Sequence, residues 1–409
     1  MLKKIIESCP AEIDLTKDEH SEIIIDVVDA ILNQNYSISE IEKIEDRLIK
    51  KKDESLIFVL LALKIAKSKI LVSRVTRPLF ISIVFAVYKE HNRIRTRSEH
   101  PHGEDFLLKK VKQLEWLFDK NPGIRWELII VDDGCPEGSG KIAQSIIDEH
   151  ELNHKARVLF LADGIEQNHP PVKKMESTNE SQKGGSIVYG MWDAVQNKRE
   201  KDHVVMYTDA DLSTHLGQLM LLVYPLLNEE KLVAIGTRRK RRSVVIKKGG
   251  RNNRGKLFIY LWKRLIPNLG EIVDTQCGFK AFRAEVIPQL IDGMIEKKFA
   301  FDIELMLKTE LLKKGAIAKI PIAWIDSELA STTTDLQPYL PMLKSIVKMN
   351  RKYFPENTPS NEFAAFIESL DKQGFKDILK SIPEDIVNRT AAEFTEYDKV
   401  RVADFNKIE

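Results

Sequence analysis

The chain has 409 residues, 43% of them apolar and 30% charged, with a formal net charge of only +2. That balance suits a soluble globular protein with a sizeable core, and the field of the whole molecule points to no particular partner. Its three cysteines, Cys9, Cys135 and Cys277, make a poor disulfide framework, fit a reducing cytosol and lack zinc-ligand spacing.

The N-terminus carries no apolar core of signal-peptide length. Residues 1–75 read as a helical appendage. Ile23, Ile24, Val27, Val28, Ile31 and Leu32 recur at helical spacing, and further helices are expected over Ile38–Lys51 and Leu56–Ala66. The run Leu56–Leu63 is too short to cross a membrane, which takes about 20 apolar residues. It reads as a buried helix. The alternative is a helix lying at a membrane interface, because Lys64, Lys67, Lys69, Arg74 and Arg77 follow it.

From Pro78 the texture changes. Leu79–Val87 is a continuous β-branched and aromatic run, the pattern of a strand buried on both faces. Similar runs recur at Glu127–Val131, Arg157–Leu161, Val204–Thr208 and Val233–Gly236. Helical patterns lie between them at Phe106–Asp119 and Gly140–Glu149. The alternation predicts a mostly parallel α/β sheet over residues 76–335, with ligands at the carboxyl ends of its strands. Residues 336–409 read as a second helical appendage, with helices over Phe363–Leu370, Phe375–Ile382 and Pro383–Tyr397.

The strand ends carry the candidate chemistry. Tyr88-Lys89-Glu90 follows the first strand, and Asp132-Asp133-Gly134 ends the second. A carboxylate there can accept from a base or ribose, although Asp-Gly after a strand is also an ordinary turn. Gln182-Lys183-Gly184-Gly185-Ser186 precedes a helix expected over Ile187–Val195, where free N–H groups and a lysine suit an anion. Asp209-Ala210-Asp211 ends the strand Val204–Thr208. Two carboxylates on alternate residues can share one hard cation, magnesium or manganese, with the oxygens of a diphosphate. Residues 237–256 contain ten basic residues and no acid, which points to an anionic partner rather than a merely solvated loop. They lack interleaved aromatics, which argues against single-stranded nucleic acid. Phe301-Asp302-Ile303-Glu304 opens a helix expected through Lys313; its acids are either simple capping groups or face the site.

Taken in order, Val87–Ile94, Val131–Gly134, Lys183–Gly185, Asp209–Leu212, Asp274–Lys280, Phe301–Glu304 and Ile320–Trp324 resemble family 2 glycosyltransferases. The likeness is to the dolichyl-phosphate glucosyltransferase type of polyprenyl-phosphate sugar synthase, over about Pro78–Ser331. The resemblance implies a GT-A fold and a metal-dependent, inverting hexosyl transfer from a nucleotide-sugar donor, UDP-glucose first. It implies nucleoside contacts from Glu90, Asp132 and Asp133, and Lys183 near the nucleotide or diphosphate. Asp209 and Asp211 would hold Mg2+ or Mn2+, and Arg238 and Arg254 would contact phosphate. Asp302 would face the acceptor and serve as base if that acceptor is a hydroxyl. The implied acceptor is a polyprenyl phosphate met by a cytoplasmic protein at a membrane surface. A soluble acceptor, or a non-catalytic basic binding protein on a degenerate transferase fold, are the alternatives. The chain departs from the family at Lys89, where asparagine is usual, and at Cys135, where serine is usual.

Overall fold

The computed structural model describes residues 6–7, 9–10, 12–51, 53–197, 199–246, 252–326, 339–354, 360–394 and 400–405. Three helices come first: α1 (Asp18–Leu32), α2 (Ile38–Ile49) and α3 (Ile57–Ser73). The α/β region follows as β1 (Leu79–Val87), α4 (Phe106–Phe118), β2 (Ile124–Asp132), α5 (Ser139–Glu149), β3 (Ala156–Phe160), α6 (Leu161–Glu166), α7 (Gly184–Ala194) and β4 (Asp202–Thr208). It continues with α8 (Met220–Asn228), β5 (Val233–Thr237), β6 (Val244–Ile246), α9 (Asn252–Leu265), β7 (Phe279–Arg283), α10 (Ile287–Ile291), α11 (Phe301–Leu312), β8 (Ile317–Pro321) and β9 (Ala323–Ile325). The helices α12 (Tyr339–Tyr353), α13 (Asn361–Ser369), α14 (Lys372–Lys380) and α15 (Glu384–Val387) come last.

Seven strands form the main sheet in the order β3-β2-β1-β4-β7-β5-β8, and β6 pairs with β9 in a small second sheet. Within the main sheet only β7 is antiparallel to its neighbours β4 and β5. The expected mostly parallel α/β sheet is therefore present.

Side-chain alternation along the strands sorts the interior into two cores. Ile83, Phe85, Leu128, Ile130 and Met206 point to one face; Val84, Ile129, Val131, Val205 and Tyr207 point to the other. Both faces are covered, which explains why β1 reads as an unbroken apolar run. The first core takes in α1, α2 and α3, and the second takes in α9 and the helices after residue 338. The helical ends of the chain are thus continuous with the two cores of the sheet.

The interfacial alternative for α3 does not hold. The helix is buried almost all round, and its lysines are too. Lys64 and Lys67 pair with the fully buried Glu45 of α2, and Lys69 donates to Leu117 O at 3.0 Å. Among the described residues, no helix is long and apolar enough to cross a membrane. Two further expectations shift. Ile320–Trp324 divides between β8 and β9, which belong to different sheets. The helix expected over Pro383–Tyr397 shrinks to α15 and a 3-10 turn at Ala391–Glu393, with residues 395–397 outside the described ones.

His215 shows how tightly the segment after β4 is built. It is buried, and its Nδ1 accepts from Gly217 N at 2.9 Å, closing a short 3-10 turn. Burial, and then the charge of Lys110, hold its imidazole down at about 3, while burial and Arg199 hold His203 at about 4. An unfolded chain protonates both near 6.5. Between about pH 6.5 and 4 the unfolded state binds protons that the folded state does not, so stability falls as pH drops through that window. Urea midpoints measured at pH 7.5 and 5.0 are expected to fall on acidification, and the fall is expected to be smaller in His215→Asn, whose amide oxygen can replace the imidazole acceptor.

Candidate active site at the carboxyl edge of the sheet

Every strand-end motif named from the sequence reaches one edge of the sheet. β1 and β2 run in register, with Val87 opposite Asp132, so the segments that follow them start side by side. The two aspartates of β2 then do different work. Asp132 Oδ1 accepts from Gly134 N (2.9 Å) and Cys135 N (2.8 Å), and Oδ2 accepts from Gly140 N (2.7 Å). Its carboxylate closes the turn and the start of α5. Gly134 sits at φ +75° against Thr178, where a side chain would be both strained and crowded.

Asp133 accepts from Lys183 N (2.9 Å) and from Ser186 Oγ (2.5 Å). It ties β2 to the amino end of α7, and burial raises its carboxyl above the usual range. Lys183 has φ +78°, an uncommon value for a residue with a side chain. Its ammonium pairs directly with Asp209 Oδ1. Burial alone would raise the Asp209 carboxyl, but Lys183, then Arg238 and Lys110, bring it below the usual range.

Asp211 is held differently. Its Oδ1 accepts from Ser213 N (3.0 Å) and Ser213 Oγ (2.6 Å), and Oδ2 lies 3.9 Å from Arg93 Nη2. Asp209 and Asp211 each leave 29% of the side chain exposed, so both carboxylates are reachable from solvent.

Three further charged groups complete this side, and the sequence did not single them out. Arg93 forms a buried fork with Glu104 (3.0 and 3.1 Å) and also donates to Glu90 at 3.1 Å. Burial pushes the Glu90 carboxyl up to about 7 against the pull of Arg93, with Asp211 and Glu104 adding to the rise. Lys110 of α4 is fully buried and donates to Asp211 O at 2.7 Å. Burial draws its ammonium down to about 8, against the pull of Asp211, Asp209 and Glu104. The only sequence signal for Lys110 is its place at helical spacing among Phe106, Leu107, Leu114 and Leu117 on the buried face of α4.

The β5 and β7 side contributes a second set. Arg238 grips Asp274 through N (2.8 Å), Nε (2.9 Å) and Nη2 (2.7 Å), and stacks over Trp324 at 5.3 Å. Gly278 backs the Asp209 carboxylate so closely that a Cβ there would clash with it. Lys280 is fully buried and donates to Asp302 Oδ1, which also accepts from Tyr207 Oη.

The basic run largely serves the chain's own fold. Arg241 and Arg242 pair with Asp46 of α2, each at 2.8 Å, and Arg242 also reaches Glu42 at 2.9 Å. Arg238 is taken by Asp274. Arg254 stands exposed in the first turn of α9, while Lys247, Lys248 and Arg251 lie outside the described residues. The expectation of a run free to face an anionic partner is corrected for these three arginines.

Arg93 is hydrogen-bonded to both Glu90 and Glu104, so its removal takes the same partner from two buried carboxyls. Arg93→Met is expected to cost about 3 kcal/mol of folding stability, read from the denaturant midpoint. A loss within the range of a surface pair, below about 1 kcal/mol, would contradict this account of the network.

Residues 104–290 match the family model described as Glycosyl transferase family 2. A dolichyl-phosphate beta-glucosyltransferase of Saccharomyces cerevisiae is 25% identical over 255 residues, 60% of this chain and 67% of that one. The dolichyl-phosphate beta-glucosyltransferase of Homo sapiens is 25% identical over 282 residues, 67% of this chain and 75% of that one. Among solved structures, glucosyl-3-phosphoglycerate synthase from Mycobacterium tuberculosis, in complex with Mn2+, UDP and glucosyl-3-phosphoglycerate, is 17% identical with a TM-score of 0.47. That alignment covers 72% of this chain and 85% of that one. The family match over residues 104–290 and the two relatives make this chain similar to the family 2 glycosyltransferases, the dolichyl-phosphate glucosyltransferases among them.

Proposed function

We propose that this protein is a metal-dependent, inverting hexosyltransferase that moves glucose from UDP-glucose to a polyprenyl-phosphate acceptor at a membrane surface. The observation that carries the reading is the pair Asp209 and Asp211 at the end of β4, partly exposed and flanked by Lys183 and Arg93. The acceptor comes from the relatives, whose names specify dolichyl phosphate.

The donor set fits an ion shared with substrate. Among the described residues no three His, Cys, Asp or Glu side chains converge to hold a metal alone. Two carboxylates suffice for magnesium or manganese when diphosphate oxygens and water fill the other positions. When bound there, the ion would neutralise charge developing on the leaving diphosphate.

The remaining roles fall to the chain itself. Asp133 would accept from the nucleoside only where Ser186 and the Lys183 amide leave it a lone pair, and Glu90, in the segment after β1, is the second candidate. Asp132 is the weaker candidate, because three backbone amides already occupy its oxygens. Lys183 would exchange its carboxylate partner for a diphosphate oxygen, and Arg238 and Arg254 would supply further positive charge. The acceptor oxygen would attack the anomeric carbon as the bond to the diphosphate breaks, giving inversion. A phosphate acceptor is already anionic and needs little base, so Asp302 would orient it; for a hydroxyl acceptor Asp302 would also serve as base.

One feature favours the second reading, a soluble acceptor. A cavity of about 280 Å³ is lined by Glu12–Lys17, Arg97, His102, Glu104 and Leu212, the residue that follows Asp211 in the chain. A small metabolite fits that space; a polyprenyl chain needs an open track.

Asp211→Asn keeps an oxygen for Ser213 and removes the charge. Calorimetric titration with UDP-glucose is expected to show Mn2+-dependent binding in the parent protein and at least about tenfold weaker binding in the variant, roughly 1.4 kcal/mol. Equal affinity in both would sink the metal reading. Glucose transfer to dolichyl phosphate, against transfer to water-soluble acceptors alone, separates the two acceptor readings.

A further inference from the structure

We propose that Lys280 is a positioning residue for sugar transfer, its ammonium anchored on the turn before β7 and holding the carboxyl of Asp302 in place. The inference rests on the reading above, in which Asp302 faces the acceptor.

The geometry is specific. Lys280 Nζ donates to Thr275 O (2.9 Å), Cys277 O (2.6 Å) and Asp302 Oδ1 (2.8 Å). Three acceptors match the three donors of an ammonium. Two are backbone carbonyls of one turn, so the cation is fixed from that side and presents its third proton to Asp302. The turn is itself anchored, because Asp274 is held by Arg238 and Phe279 pairs with Thr208 in the sheet.

Register supplies the second hold. Tyr207 and Lys280 lie directly opposite each other across β4 and β7, so their side chains share one face of the sheet. Both reach the same oxygen of Asp302. The carboxyl is gripped through Oδ1 from two strands and is buried, standing in the first turn of α11. An amine in a dry interior costs more than a well-packed apolar side chain would, so stability alone gives no reason for lysine at this position. A requirement to aim one carboxyl gives one.

The test is a double-mutant cycle on the full chain with Lys280→Met, Asp302→Asn and the pair together. Each variant is read for Mn2+-dependent UDP-glucose affinity by calorimetry and for turnover with dolichyl phosphate. Asp302→Asn, which removes the carboxyl that orients the acceptor, is expected to lower turnover about 100-fold. Lys280→Met is expected to lower turnover about tenfold or more while donor affinity stays within about threefold, and the double variant is expected to be no slower than Asp302→Asn alone. The double variant removes both buried charges together, so it keeps the comparison available where Lys280→Met folds poorly. Multiplicative losses in the double variant would overturn the action of Lys280 through Asp302, as would an equal loss of donor affinity and turnover in Lys280→Met. Full turnover in Asp302→Asn would overturn the reading of Asp302 itself, and with it this inference.

Discussion

The carboxyl edge of the sheet depends on one constraint: a crowded set of buried carboxyls must be interleaved with cations or lose their charge. Glu90, Glu104, Asp209 and Asp211 sit in one neighbourhood, where burial raises the carboxyls of Glu90 and Glu104, and Lys183 brings that of Asp209 below the usual range. Arg93 separates the first two and approaches Asp211; Lys183 takes Asp209; Lys110 lies beneath both strand-end aspartates. The arrangement differs from a row of surface salt bridges. Arg93 is held by two acids and Lys110 by a backbone carbonyl, so the charges beside Asp211 are oriented before any substrate arrives. Such preorganisation is what electrostatic catalysis asks of a site.

The same constraint explains the helices that precede the sheet. Glu45 is buried between Lys64 and Lys67, while Glu42 and Asp46 on the outer face of α2 take Arg241 and Arg242. A basic stretch beside an acidic site would otherwise be drawn toward those carboxylates or repelled by its own charge. Pinning two of its arginines to α2 fixes the approach to β6 and leaves Arg238 to Asp274. The N-terminal helices act as part of the electrostatic frame and as a wall of the first core.

Much of this was legible in the sequence, for physical reasons that also mark where legibility ended. The buried strands β1, β2 and β4 announced themselves as continuous apolar runs, and Asp209 and Asp211 followed from their place at a strand end. Arg93 and Glu104 did not, because they pair within a long loop that has no periodic pattern, and Lys110 did not, because its partner lies far along the chain. Lys110 meets Asp211 across 101 residues and Arg242 meets Asp46 across 196. Spacing carries no signal at that range. For Arg238, Arg241 and Arg242 of the basic run the cause is the same: local charge density is visible, but the acids that pair with them are not adjacent in sequence. Ile320–Trp324 looked like one strand because its apolar pattern is unbroken; the turn of the chain at Ile322 leaves no compositional mark.

The inverted strand β7 is the feature that makes the two halves of the site meet. In a parallel sheet, every strand enters at one edge and leaves at the other, so the turn before a strand lies a full strand length from the loops after its neighbours. For five residues that distance is about 16 Å. Because β7 runs against β4, its first residue, Phe279, pairs with Thr208, the last residue of β4. The turn 274–278 therefore arrives at the edge where Asp209 begins, and Gly278 can back that carboxylate without a side chain in the way. The reversal also sets Lys280 opposite Tyr207, which brings a cation and a phenol from two strands onto one oxygen of Asp302. A single change of strand direction thus joins a group of acids after β4 to a group of anchors before β7, and the site exists only where those two meet.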